Sequence, residues 1–126
     1  MRKHAHIYFD NDSRSRERAR QVRQSLRVLP WVLYVGPLRD RKLGPHPQAQ
    51  FEIHFLAEHE SAALFDLERL RSGLSVLVHA LTDDDLGDHT ERARWLGIAL
   101  RLDLTKLDPP GKNQALERFA ARGIGL

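Results

Sequence analysis

Cysteine is absent from this 126-residue chain, which excludes disulfides, thiolate nucleophiles and thiolate metal sites. Only His, Asp and Glu remain as side-chain ligands, so a bound metal would be a hard or borderline ion. Long apolar runs are also missing. No stretch nears the roughly 20 residues of a membrane span, and the opening MRKHAHIYFD lacks the apolar segment of a signal peptide. The expectation is a soluble, cytoplasmic protein with no membrane partner. Aromatic residues are few, and no aromatic-rich RNA-binding signature falls on a predicted strand. The sequence pI of 9.7 therefore does not point to nucleic acid, because the net charge is only +3 and Arg14, Arg16, Arg18, Arg20, Arg23 and Arg27 crowd one segment. That segment reads as a solvated helix face. There is no phosphate-cradling glycine loop and no serine-based triad motif. The acidic run from Thr82 to Asp88 lacks the glycine and terminal glutamate of a calcium loop and reads as a solvated turn.

The length fits one domain over residues 1–126, able to bury a core without a structural metal, so any metal present would be functional. His4 to Asp10 alternates polar and apolar residues like a half-buried strand. Asn11, Asp12 and Ser13 then supply helix-cap chemistry. Ala19, Val22, Leu26 and Leu29 recur at helical spacing up to Pro30. Trp31 to Val35 reads as a second strand, residues 36–47 as a loop rich in Gly and Pro, and Gln50 to Leu56 as a third strand. Ala63, Leu64, Leu67 and Leu70 share a helical face that Gly73 terminates, and Leu74 to His79 is a fourth strand. The order β-α-β-β-α-β predicts an α+β ferredoxin-like split βαβ fold with an antiparallel sheet. Additional C-terminal helices are expected: a short one opened by Asp88 and Glu91 as a capping box and closed by Gly97, and a last amphipathic one with Leu116 and Phe119 after Pro109, Pro110 and Gly111. Between them, Ile98, Leu100, Leu102 and Leu104 alternate.

Side chains alternate between the faces of a strand, so the apolar set locates the polar one. With Ala5, Ile7 and Phe9 in the core, His4, His6 and Tyr8 look the other way. With Phe51, Ile53 and Phe55 in the core, Gln50, Glu52 and His54 share that opposite face. Val76 and Val78 leave Leu77 and His79 there too. A ferredoxin-like order sets the first strand between the third and fourth, which gathers four histidines and a glutamate on one face. Cα atoms of His4 and His6 should lie about 6.6 Å apart, within reach of one ion. His46 joins them from a loop stiffened by Pro45 and Pro47. Singly, each strand histidine reads as a surface or satisfied core residue more readily than as a ligand, and only together do they point to a metal; the loop of His46 reads equally well as a turn held rigid for structure alone. His59 reads as a surface residue at a helix entry, and His89 as a residue that can face the sheet edge.

Three segments resemble the DOPA 4,5-dioxygenase family: HAHIYFD from His4, GPHPQAQFEIHF from Gly44, and GLSVLVHALTDDDLGDHTERARWLG from Gly73. Their order and spacing match over most of residues 4–104. One residue departs: the family commonly has proline where this chain has Ala80, which predicts a different exit from the fourth strand. The resemblance implies a ferredoxin-like enzyme that opens a catechol-type ring with dioxygen and non-haem Fe(II), with zinc or nickel as substitutes. His6, His46 and His79 are then the expected metal ligands, with Glu52 as the substitute carboxylate. His4 and Glu52 are the expected acid/base groups, in roles that can be exchanged. A homodimer is expected, because helices cover one sheet face and leave the other for a partner. The alternative reading is a non-catalytic ferredoxin-like module that uses the same polar face to bind a small molecule or a second subunit.

Overall fold

The computed structural model describes residues 1–121, apart from the side chains of 119–121, so Phe119 and the end of the expected 1–126 span lie outside the described residues. Five strands form one antiparallel sheet: β1 (Arg2–Tyr8), β2 (Tyr34–Val35), β3 (Gln50–Leu56), β4 (Val76–Leu81) and β5 (Ala93–Leu96). Their order is β2-β3-β1-β4-β5. The first four reproduce the ferredoxin-like order, with β5 added beside β4. Two helices cover one face: α1 (Ser13–Leu26) and α2 (Glu60–Leu70).

The core lies between that face and the helices. Ala5, Ile7 and Phe9 meet Phe51, Ile53 and Phe55, with Val76 and Val78, against Ala19, Val22 and Leu26 of α1 and Ala63 and Leu67 of α2. Burying each large apolar side chain contributes about 1.5–3 kcal/mol. Helix α1 starts where its cap chemistry predicts, with Asp12 accepting from the Ser15 N–H at 2.8 Å.

Several boundaries differ from expectation. The second strand shrinks to two residues because Trp31 turns inward, 3 % exposed, and its Nε1–H donates to Asp66 at 2.8 Å. His79 does not end its strand. Ala80 and Leu81 continue pairing with Lys3 and Arg2, and the Ala80 N–H donates to the Arg92 carbonyl at 3.3 Å, a bond proline cannot make. The helix expected over 88–97 is replaced by a four-residue α3 (Asp85–Asp88) followed by β5. Asp84 caps α3, accepting from the Gly87 N–H at 3.2 Å. Asp88 is fully buried and accepts from the Thr82 N–H at 2.6 Å, the Thr82 hydroxyl at 2.9 Å and Arg92 Nε at 3.1 Å. The acidic run is thus a folded corner, not a solvated turn, and Asp88 holds that corner instead of starting a helix. The alternating leucines after Gly97 form no ladder; there the chain makes a 3-10 turn over Leu104–Lys106. The last helix is present as α4 (Gln114–Ala121).

Candidate metal centre

The sheet's second face carries the polar set that alternation predicts. It is not left open: His4, His54 and His79 are 1–2 % exposed. The chain itself thus covers that face, which is not an open surface waiting for a partner. Register brings the residues together, since His4 stands opposite both His54 and His79, and His6 opposite Glu52. His46 arrives from the loop before β3 and His89 from the residue after α3. His59 is exposed at the start of α2 and takes no part.

Four of these imidazoles have their Nδ1 engaged. His79 Nδ1–H donates to the Ala80 carbonyl at 2.7 Å, which can only accept and so leaves the Nε2 lone pair free of a proton. His6 Nδ1 faces Gln50 Oε1 at 3.0 Å. His46 Nδ1 faces the Tyr8 hydroxyl at 2.8 Å. His89 Nδ1 faces the Asp85 carbonyl at 2.8 Å and its carboxylate at 3.3 Å. Metal-ligating histidines characteristically hand their other ring N–H to such a partner. The Nε2 atoms of His6 and His79 then lie 3.0 Å apart, the rings 11° from parallel. With His6 Nδ1–H donating to Gln50, two neutral imidazoles so anchored present lone pairs to each other, an arrangement that a cation between or beside them would satisfy. Adjacent nitrogens bound to an ion at about 2.0–2.1 Å are about 3 Å apart, so the pair fits a borderline divalent ion.

The neighbours extend the cluster. The His46 ring lies 4.1 Å from that of His6, and the His89 ring 4.2 Å from that of His79. Two groups of three among the described residues offer ligand atoms within 4.8 Å of one another: His4, His6 and His79, and His4, Glu52 and His54. His46 enters neither in this arrangement. His4 stacks on His54 at 4.0 Å, and Glu52 Oε2 lies 3.5 Å from His54 Nε2 and 3.8 Å from His4 Nδ1.

Burial sets the protonation states. Desolvation lowers His6 to about 4 and pushes His4, His46 and His79 well below the usual imidazole range, helped for those three by neighbouring histidines. All four are neutral at pH 7, the form that ligates a metal. Burial raises the Tyr8 phenol, which stays protonated. For Glu52, burial alone would raise the carboxyl, but His54 at 3.5 Å and the nearby His6 and Arg118 outweigh it and bring it to about 2.

His89 and the anchoring groups Gln50, Tyr8 and Asp85 are the parts to which sequence gave no role. Alternation already put Gln50 and Tyr8 on the right face; the spacing Asp85 to His89 was the remaining signal. A cavity of about 470 Å³ opens onto His6, His46, His79 and His89, within the range of small-molecule sites.

A family model described as the Dopa 4,5-dioxygenase family matches residues 4–106. A protein of Amanita muscaria named DOPA 4,5-dioxygenase is 34 % identical over 110 residues, which is 82 % of this chain and 48 % of that protein. An "Uncharacterized 21.2 kDa protein" of Botryotinia fuckeliana is 33 % identical over 79 % of this chain and 60 % of its own length. The chain thus spans about half of these curated relatives. A crystal structure of a "putative dioxygenase" from Nostoc punctiforme superposes with a TM-score of 0.76 at 36 % identity, covering 82 % of this chain and 88 % of that one.

Proposed function

As the chain belongs to the Dopa 4,5-dioxygenase family, we propose that it is an extradiol dioxygenase that opens a catechol-type, DOPA-like ring with a metal held by His6, His46 and His79. The observation that carries this reading is the pair of facing Nε2 atoms of His6 and His79, 3.0 Å apart, with each ring's Nδ1 engaged. His46 is favoured as third donor because its Nδ1 is likewise engaged, by Tyr8, and its ring faces the cavity beside His6. These imidazoles would hold Fe(II), which would supply the redox chemistry that joins a catechol to dioxygen, and zinc or nickel would compete for the same donors.

The chain's own groups bind, orient and handle protons. Gln50 and the Ala80 carbonyl hold the rings of His6 and His79 in one tautomer, so that Nε2 faces the site. Neutral His4 accepts a proton from a catechol hydroxyl and returns it to the opened product. Ionised Glu52, against His54, stabilises the imidazolium that His4 becomes. Burial of the sheet face keeps bulk water from these groups. A cytoplasmic homodimer, joined by a surface other than the buried histidine face, completes the reading, to be checked by light scattering for twice the 14.5 kDa of one chain.

The test is anaerobic Fe(II) titration followed by oxygen uptake with a panel of catechols. The expected result is one iron per chain and ring-opened product, with binding abolished in the triple variant His6→Ala, His46→Ala, His79→Ala. Unsaturable binding in the wild type, or undiminished binding in the triple variant, refutes the ligand set. Iron binding without oxygen uptake on any catechol would instead favour a binding module.

A further inference from the structure

One imidazole on the cavity has no part in the proposed ligand set or in proton transfer. His89 follows α3 and is pinned twice to the same residue. Its backbone N–H donates to the Asp85 carbonyl at 3.2 Å, and its Nδ1 lies 2.8 Å from that carbonyl and 3.3 Å from the Asp85 carboxylate. Carbonyl and carboxylate oxygens only accept, so Nδ1 carries a proton and Nε2 is the atom left to meet a ligand. Among the described residues, nothing hydrogen-bonds that Nε2.

The corner that carries His89 is itself held firmly. Asp85 also accepts from the Asp108 N–H at 2.9 Å. Asp88, next to His89 in the chain, is fully buried under its bonds from Thr82 and Arg92. The His89 ring cannot turn without giving up its Asp85 bonds, and it is kept where two cavities meet. One is the space of about 470 Å³ over His6 and His79; the other, of about 980 Å³, is lined by Trp95, Leu100 and Leu102. The ring centroid stands 4.2 Å from that of His79. A nitrogen so placed serves either the metal or what the metal receives. The proposed set already gives the metal three imidazoles, and a fourth would take room that the catechol and dioxygen both need.

We infer that His89 is a substrate-binding residue of the catechol site proposed above, its Nε2 accepting a hydrogen bond from one catechol hydroxyl and so turning the ring toward the metal beside His79. The inference rests on the dioxygenase reading and adds to it the group that orients the substrate. Because the imidazole is buried and already anchored by Asp85, little freedom is lost when the hydroxyl binds.

Calorimetry on zinc-loaded protein without oxygen tests this with two probes, 4-ethylcatechol and its dimethyl ether. His89→Asn keeps a donor where Nδ1 meets Asp85 and removes the Nε2 position, whereas His89→Gln keeps a polar atom near Nε2. The expected result for His89→Asn is one zinc per chain, as in the wild type, with 4-ethylcatechol weakened about tenfold. The ether has no hydroxyl to donate, so its weaker binding should not change. His89→Gln should retain zinc and recover part of the lost catechol affinity. Unchanged catechol affinity in His89→Asn, or equal weakening of both probes, would overturn the inference. So would loss of zinc from variants that still unfold cooperatively in urea, since that would make His89 a metal ligand. Oxygen uptake by iron-loaded wild type on 4-ethylcatechol separates this from the underlying reading: uptake there, with catechol affinity unchanged in His89→Asn, leaves the dioxygenase standing and removes the role of His89 alone.

Discussion

Acidifying the metal-free protein tests directly whether the buried imidazoles are held neutral. His6 titrates near 6.5 in an unfolded chain and, through desolvation, at about 4 in the native one. Between those values the unfolded state binds a proton that the native state refuses, so stability rises with pH there. The native state is not penalised above about pH 6.5 and loses stability as pH falls toward 4. A shift of 2.5 units at 1.36 kcal/mol per unit gives about 3 kcal/mol for His6 alone. His4, His46 and His79 shift the same way, each adding up to about 1.4 kcal/mol per pH unit. Against a total stability of about 5–15 kcal/mol, the apo protein should unfold cooperatively between about pH 6 and pH 4. Glu52 does not confuse that window, because its depressed pKa contributes stability above 4.5 that is lost only as pH falls toward about 2. The assay is urea unfolding of chelator-treated protein at half-unit steps from pH 7.5 to 4.5, on wild type and His6→Gln. A flat profile, or an unchanged slope in His6→Gln, would falsify the claim that these rings are neutral in the fold.

Other perturbations separate the roles of individual side chains. His79→Ala should remove saturable metal binding, and because His79 is buried in mid-strand it should also lower stability by about 1–3 kcal/mol, read from iron stoichiometry and urea midpoints. His4→Ala and His46→Ala discriminate the third ligand: loss of metal in His46→Ala with retention in His4→Ala supports the proposed set, and the reverse pattern supports the compact trio of His4, His6 and His79. Glu52→Gln should retain the metal and reduce turnover if Glu52 supports His4, whereas lost metal would make it a ligand; bound iron and oxygen uptake decide. Phe55→Ala empties a fully buried core position on the opposite face and should cost about 3–5 kcal/mol by calorimetry.

Alternation along β1 and β3 was enough to assign His4, His6, Tyr8, Gln50, Glu52 and His54 to one face, because side-chain direction in a strand depends only on the parity of position. The same local rule found the core set and, with the helix signals at Asp12 and Gly73, the ferredoxin-like order. Local rules failed at Asp88, where Asp and Glu three apart read as a helix start. Thr82 and Arg92 instead claim the Asp88 carboxylate through tertiary contacts, and the chain beyond becomes β5. They also ended β4 too early, since strand length there depends on pairing with Arg2 and Lys3 across the sheet. Facing Nε2 atoms on His6 and His79 and the approach of His46 and His89 are products of register and loop packing alone. Sequence spacing could nominate those histidines, but the directions of their lone pairs depend on Gln50, Tyr8, Asp85 and the Ala80 carbonyl, which only the folded chain brings within hydrogen-bonding distance.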